Sequence, residues 1–207
     1  DALPICCRAL AERFNALEPK LDILVNNAGA AWGAPFDEFP ESGWDKVMDL
    51  NLKSPFFLTQ ALAPALRASA SHETPAKVIN IASIDGLRPN PWETWSYHAS
   101  KAAVIHLTRR MAARLIKDNI VVTCIAPGAY PSEMNKAAAK NPEGSARGIP
   151  YARIGVAEDQ RSPGADVIDV DIAVGIPYLR AASASDKRRR AAHRAKCTHW
   201  RINATWN

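Results

Sequence analysis

Tyr97 and Lys101 are separated by four positions in the run Tyr97-His98-Ala99-Ser100-Lys101. On a helix that spacing puts both side chains on one face, so an ammonium can sit near a phenol and stabilise its anion. A tyrosine, ordinarily ionising near ~10, would thereby become a usable acid or base at neutral pH. Ser83 precedes Tyr97 by fourteen residues, Asn51 lies further upstream, and Asn26-Asn27-Ala28-Gly29 precedes both. Each has an ordinary alternative. A tyrosine and a lysine four apart usually just pack and snorkel, Ser83 could cap a turn, Asn51 could be a surface polar residue, and the Asn-Asn-Ala-Gly run could be a strand-ending turn.

The elements around these residues give them an order. Leu10, Phe14 and Leu17 recur at helical spacing, which predicts a helix over Pro4–Leu17 closed by Glu18-Pro19. Leu21-Asp22-Ile23-Leu24-Val25 predicts a buried parallel strand that stops at Asn26–Gly29. From Ser42 to Ala70 the spacing of Trp44, Val47, Met48, Leu50, Phe57, Leu58, Leu62 and Leu66 predicts a long helix, with a kink or restart at Pro55 and Pro64. Lys77–Ile81 and Ile120–Ile125 predict two further strands, separated by a helix over Ser96–Lys117. Strands alternating with helices imply an α/β fold with a parallel sheet, and ligands of such sheets bind at the carboxyl ends of the strands. That rule selects Asn26 to Gly29, Ser83, and the segment from Pro127 onward.

These features, in this order and spacing, resemble the short-chain dehydrogenase/reductase family: an NNAG motif at 26–29, Asn51, Ser83, the YxxxK pair Tyr97 and Lys101, and the Pro127-Gly128 turn. The likeness covers roughly Leu21 to Asp159. It implies a Rossmann-type doubly wound sheet and a hydride transfer between a nicotinamide cofactor and a carbonyl or alcohol. It further implies that Tyr97 moves the proton, Ser83 holds the substrate oxygen, and Asn51 anchors a water through which protons reach Lys101. Lys101 would also bond the nicotinamide ribose. The cofactor side would comprise Asn27, Ala28, Gly29, Tyr97, Lys101, Pro127, Gly128, Tyr130 and Ser132. Trp92 and Trp95 fall on the loop bordering the family's substrate pocket, where they line an apolar pocket or pack the loop.

Within the family, Asn27–Pro35 and Ala126–Met134 look most like reductases of the 3-oxoacyl-carrier-protein and rhamnolipid-biosynthesis type. That implies reduction of a ketone such as a 3-oxoacyl thioester with NADP, NAD being the other candidate. Two other readings share the same residues. One is a dehydrogenase of a sugar, polyol or secondary-metabolite alcohol. The other is an inactive truncated relative that oligomerises through the helices around 44–70 and 96–117, the family's dimer faces.

The family's TGxxxGxG phosphate loop does not occur in the 207 residues, so the expectation is a Rossmann-type domain truncated at its N-terminus and occupying residues 1–159. Residues 1–159 carry 17 basic and 17 acidic side chains, whereas 160–207 carry 9 and 4, so the net charge of +5 belongs to the last segment. That segment reads as a basic tail, either a shifted reading frame or a nucleic-acid or lipid-binding extension. Cys6, Cys7, Cys124 and Cys197 have no disulfide or metal-knuckle spacing and are expected as reduced thiols. His98 and His106 lack matching ligands and are not read as metal-binding. With no apolar run of membrane-spanning length and no leader pattern, a cytoplasmic homo-oligomer acting on a small molecule is expected.

Overall fold

The computed structural model describes residues 2–129, 140–146 and 171–174. Most of them form one compact unit, Asp1–Gly128 with Asp169–Ile176. Its elements are α1 (Ala2–Leu17), β1 (Ile23–Asn26), α2 (Glu41–Met48), a π turn (Asp49–Lys53), α3 (Ser54–Ser69), β2 (Ala76–Ile81), α4 (Trp95–Leu115), β3 (Ile120–Ala126) and β4 (Asp171–Val174). In the second unit, Ala129–Ile168 with Pro177–Asn207, the described helix is α5 (Pro142–Ala146), where the Asn141 side chain accepts from the Gly144 amide at 2.9 Å.

The sheet runs β1-β2-β3-β4. β1 pairs parallel with β2 from Ile23↔Lys77 to Asn26↔Asn80, and β2 with β3 from Ala76↔Ile120 to Ile81↔Ile125. β4 lies antiparallel to β3, with Ala126 opposite Asp171. The sequence reading had no strand beyond Asp159 and expected parallel strands throughout. The four-residue run Asp171–Val174 is too short to signal a strand by itself, and the partner β3 supplies the ladder that orders it.

Burial alternates along β2 and β3, and the buried residues meet α1, α3 and α4 in a core of Ala11, Leu24, Leu62, Leu66, Val78, Met111, Ile120 and Val122. The described residues thus supply one helical layer of a doubly wound arrangement. β1 is not the fully buried strand that its composition suggested. Leu24 and Asn26 face the core, while Ile23 and Val25 are exposed, because among the described residues this strand has a neighbour on one side only.

Two helical expectations also shift. α1 seats Cys7 and Ala11 with Phe14 against the core and leaves Leu10 and Leu17 exposed, so small side chains set its approach to α3. The long helix over 42–70 runs on through the π turn with helical backbone on both sides, and Pro55 follows directly after that turn, where its missing N–H interrupts the ladder. Pro64 does not interrupt α3. It lies on the exposed side beside exposed Gln60, so the carbonyl it leaves unbonded can meet water. α4 closes through a 3-10 turn ending at Asn119, whose φ of 57° is the left-handed value asparagine tolerates. Among the described residues, no helix is long and apolar enough to cross a membrane.

Candidate active site

The carboxyl ends of β1, β2 and β3 carry the chemistry-bearing residues. β2 ends at Ile81, and the chain leaves through Ala82 into a 3-10 turn at Ile84–Gly86. Ser83 caps that turn, its hydroxyl accepting from the Asp85 amide at 3.2 Å. The cap and the site are therefore the same residue. The turn is tied to the end of β3 by the Ile84 amide, which donates to the Pro127 carbonyl at 2.9 Å. Gly86 lets it lie directly on α4.

The Ser83 side chain lies near enough to the Tyr97 phenol to favour its ionised form. Lys101 is buried, donates from Nζ to the Ile81 carbonyl at 2.8 Å, and places that nitrogen 5.5 Å from the Tyr97 ring centroid. Burial pushes the Lys101 ammonium down to about 8, opposed by neighbouring Cys124. Tyr97 moves the other way from the sequence expectation. Burial raises its pKa, the Ser83 side chain opposes this, and the nearby Asp85 carboxylate adds to the rise. The ammonium stands over the ring and gives one of its three N–H groups to a backbone carbonyl. The pair at the site is a protonated phenol with a weakened ammonium, suited to giving a proton.

Asn51 sits in the π turn and is buried. Inserting one residue into a helical turn redirects the side chain that follows, a device often found at functional sites. Its Oδ1 accepts from the Ala30 amide at 2.8 Å, and its Nδ2 donates to the Ala30 carbonyl at 2.9 Å and to Ser100 Oγ at 3.0 Å. The loop after β1 is thus clamped at Ala30, holding Gly29 half-buried and leaving Asn27 and Ala28 exposed. A β-carbon on Gly29 would stand 3.4 Å from Asn51 Oδ1 and 3.7 Å from Lys101 Nζ, so these three groups surround one small space. Asn51, Ser83, Tyr97 and Lys101 are brought together around the strand ends, with Pro127 and Gly128 following β3. Tyr130 and Ser132 lie outside the described residues.

Four structural roles escaped the sequence reading. Asn26, passed over in favour of Asn27, is buried and donates to Asn80 Oδ1 at 2.8 Å and Thr59 Oγ1 at 3.2 Å, while Asn80 donates to Thr108 Oγ1 at 2.8 Å. This chain of amides and hydroxyls runs from α3 across β1 and β2 to α4. Asp85, Gly86 and Ser100 complete the set. Their only sequence signal is adjacency to Ser83 and Lys101. Trp95 is 41% exposed and packs edge-on against Phe36 at 5.3 Å, with its indole N–H donating to the Ala34 carbonyl at 3.3 Å. Trp92 stands 66% exposed. Among the described residues, no group of three or more His, Cys, Asp or Glu side chains could hold a metal ion.

The family model for short chain dehydrogenase matches residues 6–143. The chain is 45% identical over 155 residues to the rhamnolipids biosynthesis 3-oxoacyl-[acyl-carrier-protein] reductase of Pseudomonas aeruginosa, covering 73% of this chain and 60% of that protein. It is 39% identical over 163 residues to 2-dehydro-3-deoxy-D-gluconate 5-dehydrogenase of Dickeya dadantii, covering 75% and 61%. Among solved structures, the Pseudomonas aeruginosa RhlG/NADP active-site complex superposes with a TM-score of 0.72 at 44% identity, covering 75% of this chain and 62% of that one. The chain spans about three-fifths of the length of these relatives. With the family matched over two-thirds of the sequence, and Ser83, Tyr97 and Lys101 gathered at the strand ends, the chain belongs to the short chain dehydrogenase family.

Proposed function

We propose that this chain carries the reacting groups of an NADP(H)-dependent oxidoreductase that interconverts a ketone, such as a 3-oxoacyl thioester, with its secondary alcohol. The observation that carries this reading is the gathering of Ser83, a Tyr97 phenol kept protonated by burial, and Lys101 Nζ over the Tyr97 ring. A serine and a tyrosine hydroxyl near one another can together hold a carbonyl oxygen, and Tyr97 gives it a proton as negative charge develops. In the alcohol-to-ketone direction Tyr97 takes the proton back.

The donor set fits the nicotinamide–ribose end of a dinucleotide. Gly29 is narrow enough to leave Lys101 Nζ and Asn51 Oδ1 facing the strand end, and the exposed Asn27–Ala28 edge adjoins them. Asn27, Ala28, Gly29, Tyr97, Lys101, Pro127 and Gly128 would hold the cofactor, which supplies the hydride when bound. The likeness to the NADP complex supports NADP over NAD, and the 3-oxoacyl reductase likeness supports the substrate class. A substrate panel tests this. Turnover of a 3-oxoacyl thioester with NADPH, well above that of a sugar acid or polyol with either coenzyme, is expected. A preference for the sugar acid would move the reading to the alcohol dehydrogenase alternative that the gluconate-type relative favours.

Assembly into a cytoplasmic homo-oligomer is part of the same reading. Met48, Leu52, Phe56, Phe57 and Leu107, with the Asp49–Lys53 ion pair, line a largely apolar groove across α2, the π turn, α3 and α4, with Phe56 exposed at its rim. Phe56→Glu should lower the mass seen in sedimentation if that groove is a subunit face.

A further inference from the structure

We propose that Ser100 is a positioning residue: its buried hydroxyl joins the loop after β1, through Asn51, to the backbone of Tyr97. The catalytic importance of that link rests on the function proposed above; the link itself does not.

Ser100 is fully buried in the first turns of α4. Its Oγ donates to the Tyr97 carbonyl at 2.8 Å and receives Asn51 Nδ2 at 3.0 Å. The directions are fixed by chemistry. A carbonyl can only accept, so the serine proton goes to Tyr97 and the serine lone pair must take the Asn51 N–H. The Ala30 amide can only donate, which independently sets Oδ1 of Asn51 towards Ala30. Both Asn51 donors and one of its acceptor sites are therefore committed, and the carboxamide has one geometry that satisfies all three bonds. Asn51 Oδ1 and Lys101 Nζ both stand close to Gly29, 3.4 and 3.7 Å from where its β-carbon would be.

The consequence is a closed mechanical path, Ala30 to Asn51 to Ser100 to Tyr97. Serine bonded back to the carbonyl three residues earlier also tightens the local helical turn. That turn sets the spacing of Tyr97 from Lys101, and so the height of Nζ over the ring. An alanine at 100 would preserve the helix but leave one Asn51 N–H buried without a partner. The Asn51 grip on Ala30 would loosen although Ala30 is seventy residues away in sequence.

The test compares Ser100→Ala with Ile120→Val, a core change of the sheet remote from this path, in the full chain. Two quantities are read by NMR: the hydrogen exchange rate of the Ala30 amide and the titration midpoint of Lys101, the latter assigned with Lys101→Arg. In Ser100→Ala, Ala30 exchange should rise about tenfold, the equivalent of one lost buried hydrogen bond, and the Lys101 midpoint should climb from about 8 towards its ordinary value. Ser100→Thr, whose hydroxyl makes the same backward bond, should return both towards wild type. Ile120→Val should move neither beyond its general loss of stability. If Ser100→Ala fails to fold, Ser100→Cys carries the same comparison. Ala30 exchange and a Lys101 midpoint no different from those of Ile120→Val would overturn the proposal. Neither readout depends on turnover, so an inactive chain with both shifts present would reject the proposed activity and keep the link.

Discussion

Gly86 and Lys101 touch through their backbones: a β-carbon on Gly86 would stand 2.5 Å from the Lys101 carbonyl carbon and 2.6 Å from its oxygen. Backbone cannot swing aside as a flexible side chain can, so this contact holds the Ser83 turn against the helix bearing Tyr97. Gly86→Ala must push the two apart. We expect a stability loss of about 1–3 kcal/mol, the usual range for overpacking, measured by urea denaturation. Turnover should fall further than stability explains, because Ser83 is displaced from Tyr97. Wild-type stability and turnover in Gly86→Ala would mean that the turn is not held this way.

Ser83 performs two tasks, and they separate by substitution. Ser83→Ala removes both the cap on the 84–86 turn and the hydroxyl at Tyr97, costing about 0.5–2 kcal/mol of stability. Ser83→Asp would keep an acceptor for the Asp85 amide but bring a carboxylate to the phenol. It should retain the cap yet raise the Tyr97 pKa further and lose turnover, which a pH–rate profile would reveal.

Lys101 makes stability depend on pH with a definite sign. Its pKa is 10.5 ordinarily and about 8 in the fold. Between those values the unfolded chain holds a proton that the folded chain lacks, so stability rises as pH climbs through that window. Below it the burial cost is borne in full, roughly 3 kcal/mol. Tyr97 has the opposite slope above its ordinary 10.0, since the folded phenol keeps a proton that the unfolded one releases. Thermal melts should therefore show this contribution growing above pH 8 and declining beyond pH 10. Lys101→Met should flatten the rise. At pH 7 it should stabilise the fold by about 1–2 kcal/mol, after loss of the bond to Ile81 offsets part of the relief. A destabilised Lys101→Met with the rise intact would contradict this.

The Thr59–Asn26–Asn80–Thr108 chain should behave as one cooperative unit. Asn80 is fully buried and links both halves, so Asn80→Leu leaves Asn26 and Thr108 each short of a partner. A loss of about 2–4 kcal/mol is expected. Adding Thr108→Val should cost less than its separate effect, a coupling that a double-mutant cycle reads directly. Additive losses would show that the chain is a set of independent bonds.

Much of this was legible because strands and helices announce themselves by period. The three parallel strands and α4 followed from apolar spacing, Ser83 from the rule that strand ends hold ligands, and Tyr97 with Lys101 from the resemblance to the family's YxxxK signature. What was hidden depended on neighbours remote in sequence. That Lys101 Nζ also bonds the Ile81 carbonyl could not be read from spacing. Leu10 and Leu17 looked like the seat of α1, whereas α3 accepts the smaller Cys7 and Ala11 instead. β4 has no signal of its own, and its place comes from pairing with β3. Gly86 and Ser100 are unremarkable in sequence, and only the approach of α4 and of Asn51 gives them work.

The most direct test of the central claim is the turnover of a 3-oxoacyl thioester with NADPH by the full chain and by Tyr97→Phe, with coenzyme affinity measured in parallel. The account predicts that wild type turns over and that Tyr97→Phe loses about 10²–10⁴-fold in rate, the usual contribution of a positioned acid, while coenzyme affinity stays within a few fold. Wild-type rates in Tyr97→Phe, or a folded wild-type chain that reduces no ketone at all, would contradict it.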